Sequence, residues 1–235
     1  MNILAVGCHP DDLEIACFGT LAKYVQAGDR VVLCHVANGD KGHAVILPPE
    51  LREIRTKEAE EAGRLIGAAQ VINLDVPDLM VDSKNEELIK KMVGVIRQFR
   101  PDVIITHSPT DYMKDHVEVC RLVFDASFNS SVPHYCPEIP AYPPIVPIYY
   151  MDTLAGVDFM PSEYVDITGT IELKLRALAC HESQIKWMLE HDKVDFIDFV
   201  RTVSKFRGFQ CGAGYAEGFT RCAVWPRVTA GTRLP

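Results

Sequence analysis

The sequence predicts an α/β fold, a three-layer sandwich in which helices cover both faces of a mostly parallel sheet. Two observations carry that expectation. Short apolar runs alternate with longer stretches of helical periodicity through the first half of the chain. Strand–helix–strand order of this kind requires right-handed crossovers, which lay helices on both sheet faces.

The elements follow in order. Residues 2–8 are an apolar run with Gly7 near its end, as in a buried parallel strand. Residues 13–27 place Leu13, Ala16, Cys17, Leu21, Tyr24 and Val25 at helical spacing, and Gly28 closes the helix. Residues 30–37 form a second strand. A long charged helix, 48–65, begins at Pro48-Pro49 and ends before Gly67. Residues 69–74 form a third strand. Residues 85–99 form a helix with apolar Leu88, Ile89, Met92, Val93 and Ile96, and Pro101 stops it. Residues 102–106 form a fourth strand and 115–127 another helix. Six prolines between Val132 and Pro147 exclude regular structure there, leaving either a wall or lid over a crevice or a structural connector. Residues 147–153 read as a fifth strand, 171–189 and 194–209 as helices, and the remainder as an irregular tail. Without repeats or a composition break, the expectation is one Rossmann-like domain over residues 1–235.

The bulk properties narrow the function classes. The 235 residues are 48% hydrophobic and 24% charged, ordinary values for a globular protein. A formal charge of −8 disfavours nucleic acid or an anionic membrane as a partner, because both select basic surfaces. No run of apolar residues is long enough for a membrane span. The start MNILAVGCHPDD lacks the basic and apolar regions of a signal peptide, so a cytoplasmic location is expected. The eight cysteines are scattered with no CxxC pair and are expected as free thiols.

Ligands of such sheets bind beyond the carboxyl ends of the strands. His9-Pro10-Asp11-Asp12 occupies that position after the first strand. Imidazole and carboxylate are good zinc ligands, and a catalytic zinc takes three protein ligands with one open position. By itself the tetrapeptide also reads as a helix cap, with an aspartate capping and His9 a loop residue. Cys8 is a weaker ligand candidate, since strand alternation turns it away from His9. The segment after the fourth strand, His107-Ser108-Pro109-Thr110-Asp111-Tyr112-Met113-Lys114-Asp115-His116, again leads from a strand end into a helix. His116 is the natural third ligand, with Asp115 beside it to cap the helix or orient the ring. His107 competes for the same place.

The HPDD after the first strand, Arg55 in the second long helix and the DYMKDH before a helix resemble the PIG-L/LmbE-like family of zinc-dependent N-deacetylases. KLRALACHESQ (174–184) and YAEGF (215–219) are similar to two further elements of that family, so the likeness spans nearly the whole chain. It implies that His9, Asp12 and His116 bind Zn2+, or Fe2+, since two histidines and an aspartate suit both. It implies that Asp11 is the general base, which agrees with the chemistry. An amide is a poor electrophile, so a metal must activate water and a non-ligand carboxylate must shuttle the proton. Arg55 and Asp78 would contact substrate, with Glu58, Asp111 and His181 supporting. Each of these also has an ordinary structural reading: an i,i+3 ion pair between Arg55 and Glu58, turn chemistry for Asp78 beside Pro77, a loop contact for Asp111, a packed histidine for His181. The implied reaction is removal of an N-acyl group, acetyl first, from an amino sugar or similar polar small molecule, in a homo-oligomer.

One position departs from the family. Many members carry a second histidine three residues before the last ligand, where it stabilises the oxyanion. Here that residue is Met113, and a thioether donates no hydrogen bond. His107, His134, His181 and Tyr142 are the candidate replacements. The departure keeps two alternatives open: a silent relative that binds metal and sugar, and a metal hydrolase for a different amide. A dinucleotide-binding module is disfavoured, since acidic Asp11 and Asp12 stand where a glycine-rich phosphate loop would be.

Overall fold

The apolar runs pair as parallel strands. The computed structural model describes residues 1–228. Its strands are β1 (Asn2–Gly7), β2 (Arg30–Ala37), β3 (Gln70–Val76), β4 (Val103–Thr106), β5 (Ile148–Met151), β6 (Glu163–Asp166) and β7 (Ala216–Arg221). Its helices are α1 (Asp12–Ala16), α2 (Phe18–Gln26), α3 (Pro48–Ile66), α4 (Glu86–Phe99), α5 (Lys114–Asn129), α6 (Ile171–Leu178), α7 (Glu182–Trp187) and α8 (Phe196–Cys211). All strands share one sheet of order β3-β2-β1-β4-β5-β7-β6. The first five run parallel, whereas β7 joins antiparallel to both β5 and β6.

Each sheet face buries its own apolar layer. Leu4, Val6, Val32, Cys34 and Ile104 pack against α4 and α5 through Met92, Val93, Ile96, Leu122 and Val123. Ile3, Ala5, Val31, Leu33 and Ile105 pack on the other face against Leu13, Phe18, Leu21 and Ala62 of α1, α2 and α3. The strict alternation along β1 is the period-2 geometry of a strand buried on both sides. A smaller third cluster joins Ile167, Ile171, Leu175, Leu178, Phe196 and Val200 under α6 and α8.

Several expectations need correction. The helix expected over 13–27 is two helices, broken at Cys17 (φ −143, ψ 6). The cause lies far along the chain. Glu217 on β7 accepts from the amides of Gly19 (2.9 Å) and Thr20 (2.7 Å), two of the donors a helix start leaves unsatisfied. Lys174 on α6 neutralises that carboxylate at 2.5 Å, and both residues are buried. The helix expected over 171–189 is likewise interrupted, ending at Leu178 and restarting at Glu182. The expected tail contains strand β7, and β6 was not anticipated at all. Neither strand has the apolar run that marks β1 or β2 in the sequence.

The proline-rich segment is a connector. Arg97 on α4, itself buried, directs its whole guanidinium at backbone carbonyls. Nε donates to Ser130 (3.0 Å), Nη1 to Cys136 (2.6 Å) and Ile139 (2.7 Å), and Nη2 to Asn129 (3.3 Å) and Val132 (2.8 Å). The planar fork with its five donors suits this cluster, which includes the C-terminus of α5. All eight cysteines are free thiols. Arg97→Met would leave several buried carbonyls unpartnered and is expected to lower stability by about 3–5 kcal/mol in urea unfolding. Arg97→Lys, with three donors on a point charge, should restore less than half of that.

Candidate metal centre

In the order 3-2-1-4-5 the crossovers from β1 and from β4 leave in opposite directions. The crevice of such a sheet opens between those two strands. His9–Asp12 follows β1 and residues 107–113 follow β4, so both sequence motifs reach that crevice. Gly7 permits the tight exit from β1, because a Cβ there would lie 3.0 Å from Leu13 Cγ.

Three nitrogen and oxygen donors converge. His116 Nε2 lies 3.3 Å from His9 Nδ1 and 3.4 Å from Asp12 Oδ1, and His9 Nδ1 lies 3.5 Å from Asp12 Oδ2. Ligands about 2.0–2.1 Å from a tetrahedral cation are spaced by roughly 3.3–3.4 Å. The three side chains therefore form a triangle at about the spacing of ligands around a tetrahedral cation, with Asp12 presenting Oδ1 to His116 and Oδ2 to His9. His116 Nδ1 faces Asp111 Oδ2 at 3.0 Å, which makes Nδ1 the protonated nitrogen and leaves the Nε2 lone pair toward the triangle. Burial would raise the Asp12 carboxyl, yet the imidazoles of His116 and His107 hold it well below the usual carboxylate range. Burial also opposes charge on His116, but Asp12 and Asp111 lift it to about 9. Such a cluster attracts positive charge, and a divalent cation would displace the imidazole protons.

Two other donor sets are close in space: Asp12 with His107 and His116, and Cys8 with His9 and Asp12, each with ligand atoms within 4.8 Å of one another. His107 Nε2 lies 3.3 Å from Asp12 Oδ2, so the first set differs from the triangle in hydrogen bonding, and the second differs in the acidity of its thiol. His107 Nε2 accepts from the Cys8 amide at 2.8 Å, so that lone pair is engaged. Its ring stacks on His116 with centroids 3.9 Å apart, and burial, then the neighbouring His116, lower it to about 4. Burial pushes the Cys8 thiol up to about 12, far from the thiolate a metal requires. Asp115 caps nothing. Its Oδ2 accepts from the Leu79 amide at 2.6 Å and lies 3.7 Å from His9 Nε2.

Asp11 stands outside the triangle. It occupies φ 120, a left-handed conformation that an aspartate rarely adopts. Arg55 on α3 holds it there. Arg55 Nη2 lies 3.0 Å from Asp11 Oδ2 and donates to the Pro10 carbonyl, while Nη1 donates to Gly39 O at 3.4 Å. Gly39 (φ +77) must be glycine for this, since a Cβ would lie 2.6 Å from Arg55 Cδ. Burial pushes the Asp11 carboxyl up to about 6 against the pull of Arg55.

The cleft around these groups encloses about 310 Å3 and includes His9, Asp11, Asp12, His116, Arg55, Asp78 and Met113 in its lining. Asp78 is buried in the cleft lining, and its two oxygens accept from the Gly39 (2.8 Å) and Lys41 (3.0 Å) amides and so hold the loop after β2. Glu58 does not pair with Arg55. Its carboxylate accepts from the amide and hydroxyl of Ser183, both at 2.7 Å, and so caps α7. His181 lies beneath the cleft, wholly buried, with Nε2 3.4 Å from the equally buried Glu14 Oε1. Of the candidate replacements for the missing histidine, Tyr142 donates to Pro101 O in the core and His134 is exposed on the connector. Neither presents a donor to the cleft, whereas His107 lines it and, with Nε2 accepting from the Cys8 amide, carries its proton on Nδ1.

Residues 4–127 match the family described as PIG-L: GlcNAc-PI de-N-acetylase. The chain belongs to the PIG-L family. Its relatives include the diacetylchitobiose deacetylase of Thermococcus kodakarensis, 27% identical over 92% of this chain and 81% of that protein. The solved N,N'-diacetylchitobiose deacetylase of Pyrococcus horikoshii superposes with a TM-score of 0.82, 27% identity, and coverage of 93% of this chain and 82% of that one. GalB, the 4-carboxy-2-hydroxymuconate hydratase of Pseudomonas putida KT2440, superposes with a TM-score of 0.81 over 99% of this chain and 100% of that one. At 22% identity the GalB likeness speaks to fold alone. No helix among the described residues is long and apolar enough to cross a membrane.

Sequence reasoning missed part of the PIG-L cleft. Lys41, Asp152, Leu154, Gln184, Met188 and Phe196 all line it. Gln184 had a signal, since it lies in the same HESQ stretch as His181; the apolar residues had none. Because Glu58 anchors the wall that carries Gln184, Glu58→Ala is expected to cost about 1–2 kcal/mol of stability, as loss of a helix cap does. Faster hydrogen exchange confined to residues 182–187 would show that the loss is local.

Proposed function

We propose that this PIG-L member is a metal-dependent N-deacetylase acting on an N-acylated amino sugar or a closely similar amine. His9, Asp12 and His116 are the ligands and Asp11 is the general base. The observation that carries the reading is the division of labour between adjacent aspartates. Asp12 closes a triangle at about tetrahedral ligand spacing, while Asp11 is turned out of it, buried and paired with Arg55. Relatives that act on diacetylchitobiose, and on 1D-myo-inositol 2-acetamido-2-deoxy-alpha-D-glucopyranoside in Kineococcus radiotolerans, support the N-acetyl amino sugar as substrate class.

The donor set fits Zn2+ or Fe2+. When bound, the cation supplies Lewis-acid polarisation of the amide carbonyl and acidifies a water molecule at the open position. The protein supplies the proton traffic. Asp11 takes the proton from the attacking water and passes it to the departing amine. Its acidity near neutrality suits both directions, because a base matched to the working pH accepts and releases with little bias. Arg55 fixes the Asp11 carboxylate without leaving the turn, since the same guanidinium donates to Pro10 O. Asp111 fixes the ring of His116.

A second reading has one observation in its favour. Met113 puts a thioether where the family's oxyanion donor would stand, and loss of such a donor lowers turnover elsewhere by about 10²–10³-fold. In that reading the centre binds metal and sugar but is silent, or acts on a different amide. Detecting free amine from a panel of N-acetylated amino sugars decides between them.

Two variants test the assignments. Asp11→Asn should keep about one metal per chain by mass spectrometry and lose turnover by roughly 10²–10⁴-fold; retained turnover removes Asp11 from the base role. His116→Ala should lower metal content sharply while His107→Phe leaves it intact. The reverse pattern would make His107 the third ligand.

A further inference from the structure

The polar side chains of the cleft are largely engaged in holding its own walls. Both Asp78 oxygens accept backbone amides. Asp152 is paired with Arg207 through two contacts of 2.6 and 3.0 Å. Gln184 Nε2 donates to Gly42 O at 3.1 Å, and Lys41 Nζ is paired with Asp40 at 2.9 Å. Arg55 is committed to Asp11 and two carbonyls. A polyhydroxylated ligand would find few unengaged partners here.

The apolar side chains are different. Ile15, Leu154, Met188 and Phe196 line one wall, and all four belong to or pack on the third apolar cluster under α6 and α8. The wall is thus the open edge of a core rather than a set of isolated contacts. Met113 and Leu79 also line the cleft, and Leu79 is 68% exposed and held at φ 67.

We infer that the substrate of this cleft is an amphipathic N-acyl amine, one whose apolar substituent, an alkyl chain or aryl ring, packs against Ile15, Leu154, Met188 and Phe196. This inference rests on the proposed deacetylase reading and narrows its substrate class. The apolar group enters either as the acyl chain or as a substituent on the amine side, and both present the same chemistry to the wall.

Three probes distinguish the sources: methyl N-acetylglucosaminide, hexyl N-acetylglucosaminide and the methyl glycoside of N-hexanoylglucosamine. Their dissociation constants are measured by calorimetry on the zinc-loaded Asp11→Asn variant, which removes turnover from the measurement. One hexyl-bearing probe should bind about 10–100-fold tighter than the methyl reference, allowing partial burial at about 0.8 kcal/mol per fully buried methylene. The gain should bring a more negative heat-capacity change. Which probe gains tells whether the chain sits on the acyl or the amine side. Met188→Gln, at a half-buried position, should erase most of the gain of the hexyl probe over the methyl reference measured on the same variant. Equal affinity for all three probes, or a gain that survives Met188→Gln, overturns the inference. Hydrolysis of methyl N-acetylglucosaminide by the wild-type protein reads the deacetylase assignment separately, so the two can fail independently.

Discussion

One buried guanidinium organises the reactive end of the sheet. Arg55 is 3% exposed and touches three things that must stay in register: the strained Asp11, the Pro10 carbonyl of the same turn, and Gly39 after β2. The turn after β1 is costly because Asp11 sits at φ 120. A buried ion pair with an added backbone hydrogen bond over-determines that conformation. The helix that carries Arg55 begins at Pro48-Pro49 and ends on Gly67 in a left-handed cap, so its register relative to the site is fixed at both ends.

The C-terminal third is joined to the sheet by polar contacts as well as by packing. Lys174–Glu217 and Arg207–Asp152 are buried pairs whose desolvation offsets much of their Coulomb energy. Their value here lies in position. Glu217 satisfies the start of α2, which forces the break at Cys17 and lets α1 be a short helix directly behind the aspartates. Asp152 ties the end of β5 to α8, and α8 supplies Phe196 to the cleft wall. Segments distant in sequence therefore shape the site without entering the triangle.

Legibility in the sequence followed the physics of each element. Strands buried on both faces, such as residues 30–37, announce themselves as nearly continuous apolar runs, and their bounds were readable. β6 (EYVD) and β7 (AEGFTR) carry no such run. They are held at the far side of the sheet by antiparallel partners that only the fold brings near. HPDD and DYMKDH were readable because ligand types at strand ends point to one crevice. The pairing of Glu58 was misleading, since helical spacing placed it beside Arg55. Arg55 instead turns inward to the β1 exit, and Glu58 reaches α7, 125 residues away. The fork of Arg97 into five carbonyls left no trace in the sequence, because carbonyl partners carry no residue identity.

The methionine at position 113 fits the electrostatics of the site better than it fits a family pattern. Its amide donates to Asp111 Oδ1 at 2.9 Å, while Asp111 Oδ2 faces His116, so the backbone of this residue already helps to hold the ring. What changes is the side chain, a polar donor replaced by an apolar group on the cleft lining. An apolar lining desolvates its neighbours and lowers the local dielectric, which strengthens the charge pairs beside it. The same desolvation raises the Asp11 carboxyl to about 6 in spite of Arg55. An apolar wall and a buried carboxyl raised to about 6 thus meet in the crevice between β1 and β4, and these are the two features on which the proposed deacetylase reading and its substrate class rest.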